Sequence, residues 1–257
     1  MEFKIRPNRM KRKILAGEDH RWLLLDFMSV ELVEIIGTLG FDYIMIEGEH
    51  GALNEDRIQD LVRAAERYDM TPCIRLQEIY PDQIGRLLDI GIQGIHFCHA
   101  RNGADVERFV RAAKYPPLGD RGFGRFSRLN AFGLSDEAEA IKAGNEELFL
   151  SIAIEDIEGA NNIEEICATP GLDHIGIGSS DLSASMGIPG QYDNPEFQRV
   201  FRKVKETIRA SQYGHPEGRR IGGSANLLIA QCMREVHAGT RTMNVFKGLN
   251  DPSKPGI

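Results

Sequence analysis

The sequence predicts an α/β protein in which eight parallel strands alternate with helices and close into a (β/α)8 barrel. Apolar, β-branched runs alternate along the chain with stretches of helical periodicity. Several runs are almost continuously apolar, which is typical of parallel strands buried on both faces. The chain has 257 residues, close to the length that one such barrel uses. We therefore predict that residues 1–257 form a single TIM-barrel domain.

The strand predictions follow the apolar runs, and the helix predictions follow the apolar stripes between them. Ile58, Leu61, Val62 and Ala65, for example, have the spacing of an amphipathic helix that packs on a sheet. The predicted strands are Trp22–Met28, Tyr43–Gly48, Thr71–Leu76, Gly94–His99, Phe149–Glu155, His174–Asp181, Arg220–Ala225 and Thr240–Phe246.

The end of the chain departs from this alternation. After Phe246 only residues 247–257 remain, and they include two prolines and two glycines. Such a segment is too short and too rich in helix breakers for a full amphipathic helix. The eighth helix is therefore predicted to be absent or atypical.

Composition excludes several classes of protein. The formal net charge is -7, which disfavours a nucleic-acid partner, because such binding depends on basic surface. No apolar run approaches the roughly 18 residues of a membrane span. The four cysteines lack the paired spacing of a disulfide framework or a zinc ribbon. We expect a cytoplasmic protein with neither a membrane nor a nucleic-acid partner.

Four chemically active residues fall at or just beyond the ends of predicted strands: His50, Arg75, Glu155 and Asp181. In a parallel barrel the carboxyl ends of all strands meet on one face, where barrel enzymes build their sites. Glu155 and Asp181 end consecutive predicted strands, and two neighbouring carboxylates suit a hard cation such as Mg²⁺ or Mn²⁺. A histidine suits a general base, and an arginine fork matches a carboxylate.

Each of these residues also has a structural interpretation. Asp181 is equally well explained as the N-cap of a following helix. His50 alone fits a surface loop, although the flanking Glu47 and Glu49 would orient or polarise its ring. Arg75 also fits a structural ion pair with Glu155 or Glu47.

Two further segments draw attention. His96, Cys98 and His99 lie together on the fourth predicted strand; a soft-metal site needs more donors than they supply, so pocket wall or core is the favoured interpretation. The segment Tyr115–Phe126 fits neither strand nor helix, and its aromatic and arginine content favours an ordered loop that lines a pocket.

Several segments, in order along the chain, resemble motifs of the HpcH/HpaI family of metal-dependent pyruvate aldolases. Phe41–His50 is similar to the family's GFDxxxIDGEH, and Leu87–Gly91 to its LLDxG. Lys114–Gly122 is similar to RYPPxGxRG, and Ile177–Gly187 to IGPADLSADMG. The resemblance extends from about Ile14 to about Val245.

The resemblance implies a barrel, a hexamer in relatives, that holds pyruvate on a divalent metal, with Mg²⁺, Mn²⁺ and Co²⁺ as candidates. It implies that Glu155 and Asp181 ligate the metal, that Arg75 binds the pyruvate carboxylate or its oxyanion, and that His50 is the base. It also implies the following further roles: Asp89 as the acid that orients His50, Ser179 and Ser180 as the backbone beside pyruvate, and Phe123 near the acceptor pocket.

The implied reaction cleaves or forms a 4-hydroxy-2-oxo acid through a pyruvate enolate and an aldehyde. Departures from the family pattern leave two alternatives open. Glu47 replaces the family's aspartate, Ala153 replaces a glutamine, and strand four carries His96, Cys98 and His99 where relatives are apolar with a proline. These changes motivate a related oxaloacetate decarboxylase or oxo-acid condensing enzyme, and a non-catalytic oxo-acid-binding barrel is the third hypothesis. The missing eighth helix bears on the oligomeric assembly.

Overall fold

A computed structural model describes residues 5–240 of the chain. Its strands form one parallel sheet in the order β6-β5-β4-β3-β2-β1-β7, so that β6 and β7 are its edges in the described residues. The strands are β1 (His20–Leu25), β2 (Tyr43–Glu47), β3 (Thr71–Leu76), β4 (Gly94–Phe97), β5 (Phe149–Ile154), β6 (His174–Ile177) and β7 (Arg220–Ser224). Seven of the eight predicted strands are thereby confirmed.

Helices connect successive strands, as a parallel sheet requires. They are α1 (Arg9–Leu15), α2 (Val30–Thr38), α3 (Glu55–Arg67), α4 (Pro81–Asp89), α5 (Gly103–Ala113), α6 (Glu137–Glu147), α7 (Ile157–Asn161), α8 (Ile163–Ala168), α9 (Ser179–Ser185), α10 (Pro195–Ala210) and α11 (Ala225–His237). A short 3₁₀ turn, Ala131–Gly133, ends the loop that follows α5. This repeated strand–helix order is that of a TIM barrel.

The core lies between the sheet and the helices around it. The predicted stripe of α3 is confirmed, because Ile58, Leu61, Val62 and Ala65 are all buried. The strands supply Ile44, Ile74 and Leu150 to the same cluster, and none of the three is exposed to solvent. Burial of apolar area on this scale is the main force that closes the sheet under its helices.

Among the strands of the described residues, only Thr71–Leu76 matches its predicted bounds at both ends, and the sixth and first strands depart from theirs the most. The sixth strand ends at Ile177 rather than at Asp181, and Ser179–Ser185 form α9 instead. Serine and aspartate favour the first turn of a helix, where Asp181 complements the helix dipole. The first strand begins and ends earlier than Trp22–Met28.

The eighth predicted strand, Thr240–Phe246, and any eighth helix lie outside the described residues from position 241 onward. Among residues 5–240, no helix combines the length and the apolar character needed to cross a bilayer.

Candidate active site

The carboxyl ends of β2, β3, β4 and β5 bring the functional side chains together. Glu47 is the last residue of β2 and pairs in register with Arg75 near the end of β3. Glu155 follows the last residue of β5, and His99 follows β4 by two residues. Because the strands are parallel, these positions share one end of the barrel, as the sequence predicts.

Glu49 is the centre of this group. Its side chain is only 3% exposed, and its Oε1 lies 3.2 Å from His99 Nε2. Its Oε2 lies 3.3 Å from Arg75 Nη1 and accepts a hydrogen bond from Cys98 Sγ at 3.3 Å. The same Oε2 is 3.6 Å from His50 Nε2. Glu49 thus links side chains from three separate segments.

Arg75 is held by two carboxylates. Its Nε donates to Glu47 Oε2 at 2.6 Å, and its Nη2 lies 2.5 Å from the same oxygen. The ion pair with Glu47 that the sequence left open is therefore present, and Glu49 adds a second partner. Burial pushes the pKa of Glu47 upward, but the hydrogen bonds from Arg75 and from the backbone N–H groups of His50 and Glu49 outweigh it and lower the pKa.

Glu155 is a buried carboxylate at the end of an apolar strand. Its Oε2 accepts a hydrogen bond from the backbone N–H of His99 at 3.2 Å. A Cβ at position 178 would lie 2.3 Å from Glu155 Oε1, so Gly178 is needed to leave room for the carboxylate. Burial raises the pKa of Glu155, the charges of Glu49 and Asp181 act in the same direction, and His99 opposes them.

Asp181, Ser179 and Ser180 lie in the first turn of α9. Asp181 is exposed and close enough for its charge to act on Glu155. Ser180 Oγ lies 3.2 Å from the hydroxyl of Tyr192. The first turn of α9 therefore borders the group around Glu155, with backbone N–H groups of a helix start beside it.

His50 lies at the rim of this group. Its side chain is 68% exposed, and its backbone N–H donates to Glu47 Oε1 at 3.0 Å. The loop after β2 is thus folded around the Glu47 carboxylate, which fixes the position of His50 while its ring faces solvent.

The donors that suit a metal are Glu49, His99 and Glu155. One ligand atom from each lies within 4.8 Å of the others. Two carboxylates and an imidazole are a donor set that divalent cations accept, so the residues fit a metal ion. Sequence reasoning assigned Glu155 but treated His99 as pocket wall, because the partners of His99 come from β2 and β5 rather than from its own strand.

Asp89 and Phe123 lie elsewhere. Asp89 ends α4, and helices run antiparallel to the strands here, so this end faces the amino ends of the strands. Asp89 Oδ1 accepts from Arg121 Nη2 at 2.6 Å, and Arg121 stacks over Tyr115 at 4.3 Å. The Phe123 ring packs edge-on against Tyr115. Within the described part of this chain, the recorded contacts tie both residues to the loop after α5 and not to His50.

A cavity of about 530 Å³ extends along the strands. Its lining includes Arg75 and Glu155 at the carboxyl end, together with His96, Ser151 and His174. His96 Nδ1 lies 2.8 Å from Ser151 Oγ, and burial lowers the pKa of His96 to about 3, helped by the charges of Arg220, His174 and Arg75. His96 is therefore a neutral side chain in the cavity wall, which agrees with the sequence-based interpretation that it belongs to the pocket wall or core.

Comparisons with known proteins agree with this architecture. The family model HpcH/HpaI aldolase/citrate lyase matches residues 22–214. The hydroxypyruvate/pyruvate aldolase of Pseudomonas aeruginosa is 33% identical over 79% of this chain and 76% of its own length. The 4-hydroxy-2-oxo-heptane-1,7-dioate aldolase of Escherichia coli is 32% identical over 79% of this chain and 78% of its own.

Two solved structures are also similar. An HpcH/HpaI aldolase from Desulfitobacterium hafniense DCB-2 gives a TM-score of 0.82 at 24% identity and covers 92% of this chain and 98% of its own. The citrate synthase SbnG gives a TM-score of 0.79 at 25% identity, and the match covers 90% of this chain and 96% of that structure's chain. Fold and site together define a TIM-barrel enzyme that acts as a carbon–carbon lyase. The chain belongs to the HpcH/HpaI aldolase/citrate lyase family.

Proposed function

We propose that this lyase is a metal-dependent aldolase that cleaves or forms 4-hydroxy-2-oxo acids through a pyruvate enolate and an aldehyde. The observation that carries the proposal is the convergence of Arg75, Glu49, His99 and Glu155 at one end of the barrel. The names of the two aldolase relatives support the substrate class.

The metal would be held by Glu155 and Asp181, with Mg²⁺, Mn²⁺ and Co²⁺ as candidates. Their proximity is supported by the influence of the Asp181 charge on Glu155. When bound, a divalent cation polarises the keto oxygen of an oxo acid and offsets the negative charge of an enolate. Gly178 supports the assignment, because it gives the Glu155 carboxylate its space.

Arg75 would bind the carboxylate or the oxyanion of pyruvate. A guanidinium has five N–H donors, and the contacts with Glu47 and Glu49 occupy three of them. In the described part of the chain the other two donors have no carboxylate partner, which leaves them for a substrate oxygen. Because the carboxylates of Glu47 and Glu49 fix the Arg75 guanidinium, the side chain would lose little conformational freedom when it binds the substrate.

His50 would take the proton of the 4-hydroxyl group, since its ring faces the open end of the site beside Glu49. The backbone of Ser179 and Ser180 would lie beside pyruvate at the start of α9. The roles of Asp89 and Phe123 stay predictions, because their contacts in this chain are with the loop after α5.

A substrate panel tests the proposal. Metal-stripped protein is reloaded with Mn²⁺ or Mg²⁺ and given 4-hydroxy-2-oxo acids, with pyruvate release followed by a coupled assay. We expect release that depends on the added ion. If no aldehyde acceptor or 4-hydroxy-2-oxo acid reacts in either direction while oxaloacetate is consumed, the aldolase proposal fails.

That last outcome would favour a second candidate, a decarboxylase or an oxo-acid condensing enzyme. Ala153 lines the cavity beside Glu155, and its small side chain leaves volume for a different electrophile. The similarity to the citrate synthase SbnG supports this candidate. A condensation would consume an oxo acid and a second carbon donor without releasing an aldehyde, so product analysis separates it from the aldolase.

We also propose a cytoplasmic homo-oligomer. The cysteines lack the paired spacing of a disulfide framework, which suits a reducing compartment. Leu227, Leu228 and Met233 on α11 are large apolar side chains that are at least 46% exposed, which supports a subunit contact on this helix. Sedimentation equilibrium measures the assembly, and a monomer at micromolar concentration would contradict it.

A further inference from the structure

We propose that His99 is a metal ligand through Nδ1 while its Nε2–H donates to Glu49, so that the site carries a nitrogen donor and prefers Mn²⁺, Co²⁺ or Zn²⁺ to Mg²⁺. This inference rests on the proposed function, because it adds a third protein ligand to that metal site and names the class of ion.

The backbone places His99 against Glu155. His99 adopts φ +58°, in the left-handed region that residues with a side chain rarely occupy. In this conformation its N–H donates to Glu155 Oε2 at 3.2 Å, and its Nδ1 lies 3.6 Å from the same oxygen. Ligand atoms of one tetrahedral ion lie roughly 3.3 Å apart for bonds of about 2.05 Å. Backbone strain that the surroundings maintain is common where a side chain has a function.

The other ring nitrogen is held by Glu49. Nε2 lies 3.2 Å from Glu49 Oε1, while Glu49 Oε2 is fixed by Arg75 and by the thiol of Cys98. Metal-bound histidines almost always donate their second ring N–H to a carboxylate or carbonyl, which sets the tautomer and the ring orientation. Glu49 satisfies this requirement and leaves Nδ1 as the free donor on the side of Glu155.

An imidazole changes which ions the site accepts. Mg²⁺ prefers oxygen ligands in strict octahedral geometry, whereas Mn²⁺, Co²⁺ and Zn²⁺ also accept imidazole nitrogen with rising affinity. His96, which lies three residues earlier on β4, offers a contrast, because its Nδ1 is occupied by Ser151 Oγ and its side chain lines the cavity. The competing explanation is that His99 is an imidazolium that only neutralises Glu49 and Glu155.

Electron spin echo spectroscopy of bound Mn²⁺ separates the two explanations, because it detects ¹⁴N nuclei bonded to the ion. We expect nitrogen modulation in the wild-type protein and in H96Q, the matched control, and its loss in H99Q. Calorimetry should show that H99Q weakens Zn²⁺ binding at least about ten-fold, the scale seen when a metal's surroundings are disturbed. Mg²⁺ binding should change less than about three-fold, since oxygen ligands dominate it.

A second variant tests the orienting role of Glu49. E49Q should keep the nitrogen modulation but weaken Zn²⁺ binding, because an amide holds the Nε2–H less firmly than a carboxylate does. Far-ultraviolet circular dichroism confirms that each variant is folded before it is titrated.

The failures are distinguishable. If the wild-type protein binds none of the four ions, the metal-dependent function and this inference fall together. If it binds Mn²⁺ without nitrogen modulation, or if H99Q keeps the wild-type modulation and Zn²⁺ affinity, only the assignment of His99 is overturned, and the imidazolium explanation replaces it.

Discussion

Each end of the barrel holds a buried titratable group that lies near groups of like charge. At the carboxyl end, the side chains of Glu47, Glu49 and Glu155 are buried, and the Arg75 guanidinium pairs with the first two. At the amino end, His174 begins β6, and the positive groups that act on it are Arg220, His215 and His20. The parallel arrangement determines which residues meet, because every strand places its first residues at one end of the barrel and its last residues at the other.

The pKa values of Glu155 and His174 move in opposite directions for the same physical reason. Burial raises the pKa of Glu155, and the neighbouring carboxylates add to the effect. Burial lowers the pKa of His174 to about 4, and Arg220 adds to that effect. In both places the charged form is destabilised by lost hydration and by like charges. Of these two groups, only Glu155 would gain from a bound cation, which supports the proposed position of the metal at the carboxyl end.

The largest effect should come from Glu155→Gln. Glutamine fits the space left by Gly178 but removes the charge that an ion needs, so we expect turnover to fall about 10³-fold or more, the scale of losing a major electrostatic group. Mn²⁺ at a hundred times its dissociation constant should stabilise the wild-type protein by about 2.7 kcal/mol and the variant not at all. Coupled assays and thermal melts measure the two effects.

The result that would contradict this comparison is a variant with wild-type turnover and an unchanged response to Mn²⁺. Glu158→Gln is the matched control, since Glu158 lies in α7 with an exposed side chain and should behave as the wild-type protein does.

The sequence allowed the barrel and half of the site to be predicted for identifiable reasons. Apolar runs and stripes report burial directly, so seven strands and the stripe of α3 were found. Arg75 and Glu155 stood out because a charge at the end of an apolar strand needs a partner. His99 was underestimated because its partners, Glu49 and Glu155, come from other strands, and a contact between distant segments leaves no local pattern. Gly178 was missed because its role is to leave room for the Glu155 carboxylate, and the sequence does not show that the two residues are neighbours in space.

The second prediction concerns an ion pair at the amino end in which one guanidinium, that of Arg121, faces one carboxylate, that of Asp89. The Arg121 side chain is 2% exposed, and among residues 5–240 its one carboxylate partner is Asp89. Asp89→Asn leaves a buried guanidinium without its counter-charge, so we expect a loss of about 1–3 kcal/mol in the free energy of unfolding, discounted because Asp89 is partly exposed. Urea denaturation measures it, and the affinity for Mn²⁺ should stay as in the wild-type protein.

Asp120→Asn provides the control for this pair. Asp120 pairs with Arg111, but both side chains are more than half exposed, so the loss should stay below about 0.5 kcal/mol. Equal losses of unfolding free energy in the two variants would mean that burial does not distinguish these ion pairs. A fall in Mn²⁺ affinity in D89N would mean that the Asp89–Arg121 pair influences the proposed metal site.

The smallest effect concerns the pH dependence of stability at the amino end. The folded protein holds His174 neutral to about pH 4, whereas the unfolded chain protonates it near pH 6.5. Between these values the unfolded state binds the extra proton, so His174 lowers stability as the pH falls, by up to about 1.4 kcal/mol per unit, and has no such effect above pH 6.5. His174→Gln should remove this part of the slope in urea denaturation from pH 7 to pH 4.5.

The internal control is the range above pH 6.5, where the wild-type protein and His174→Gln should show the same slope. If His174→Gln leaves the slope unchanged, the positive groups of the amino end do not act on a buried neutral imidazole. The effect of burial among like charges on pKa would then hold for Glu155 and not for His174.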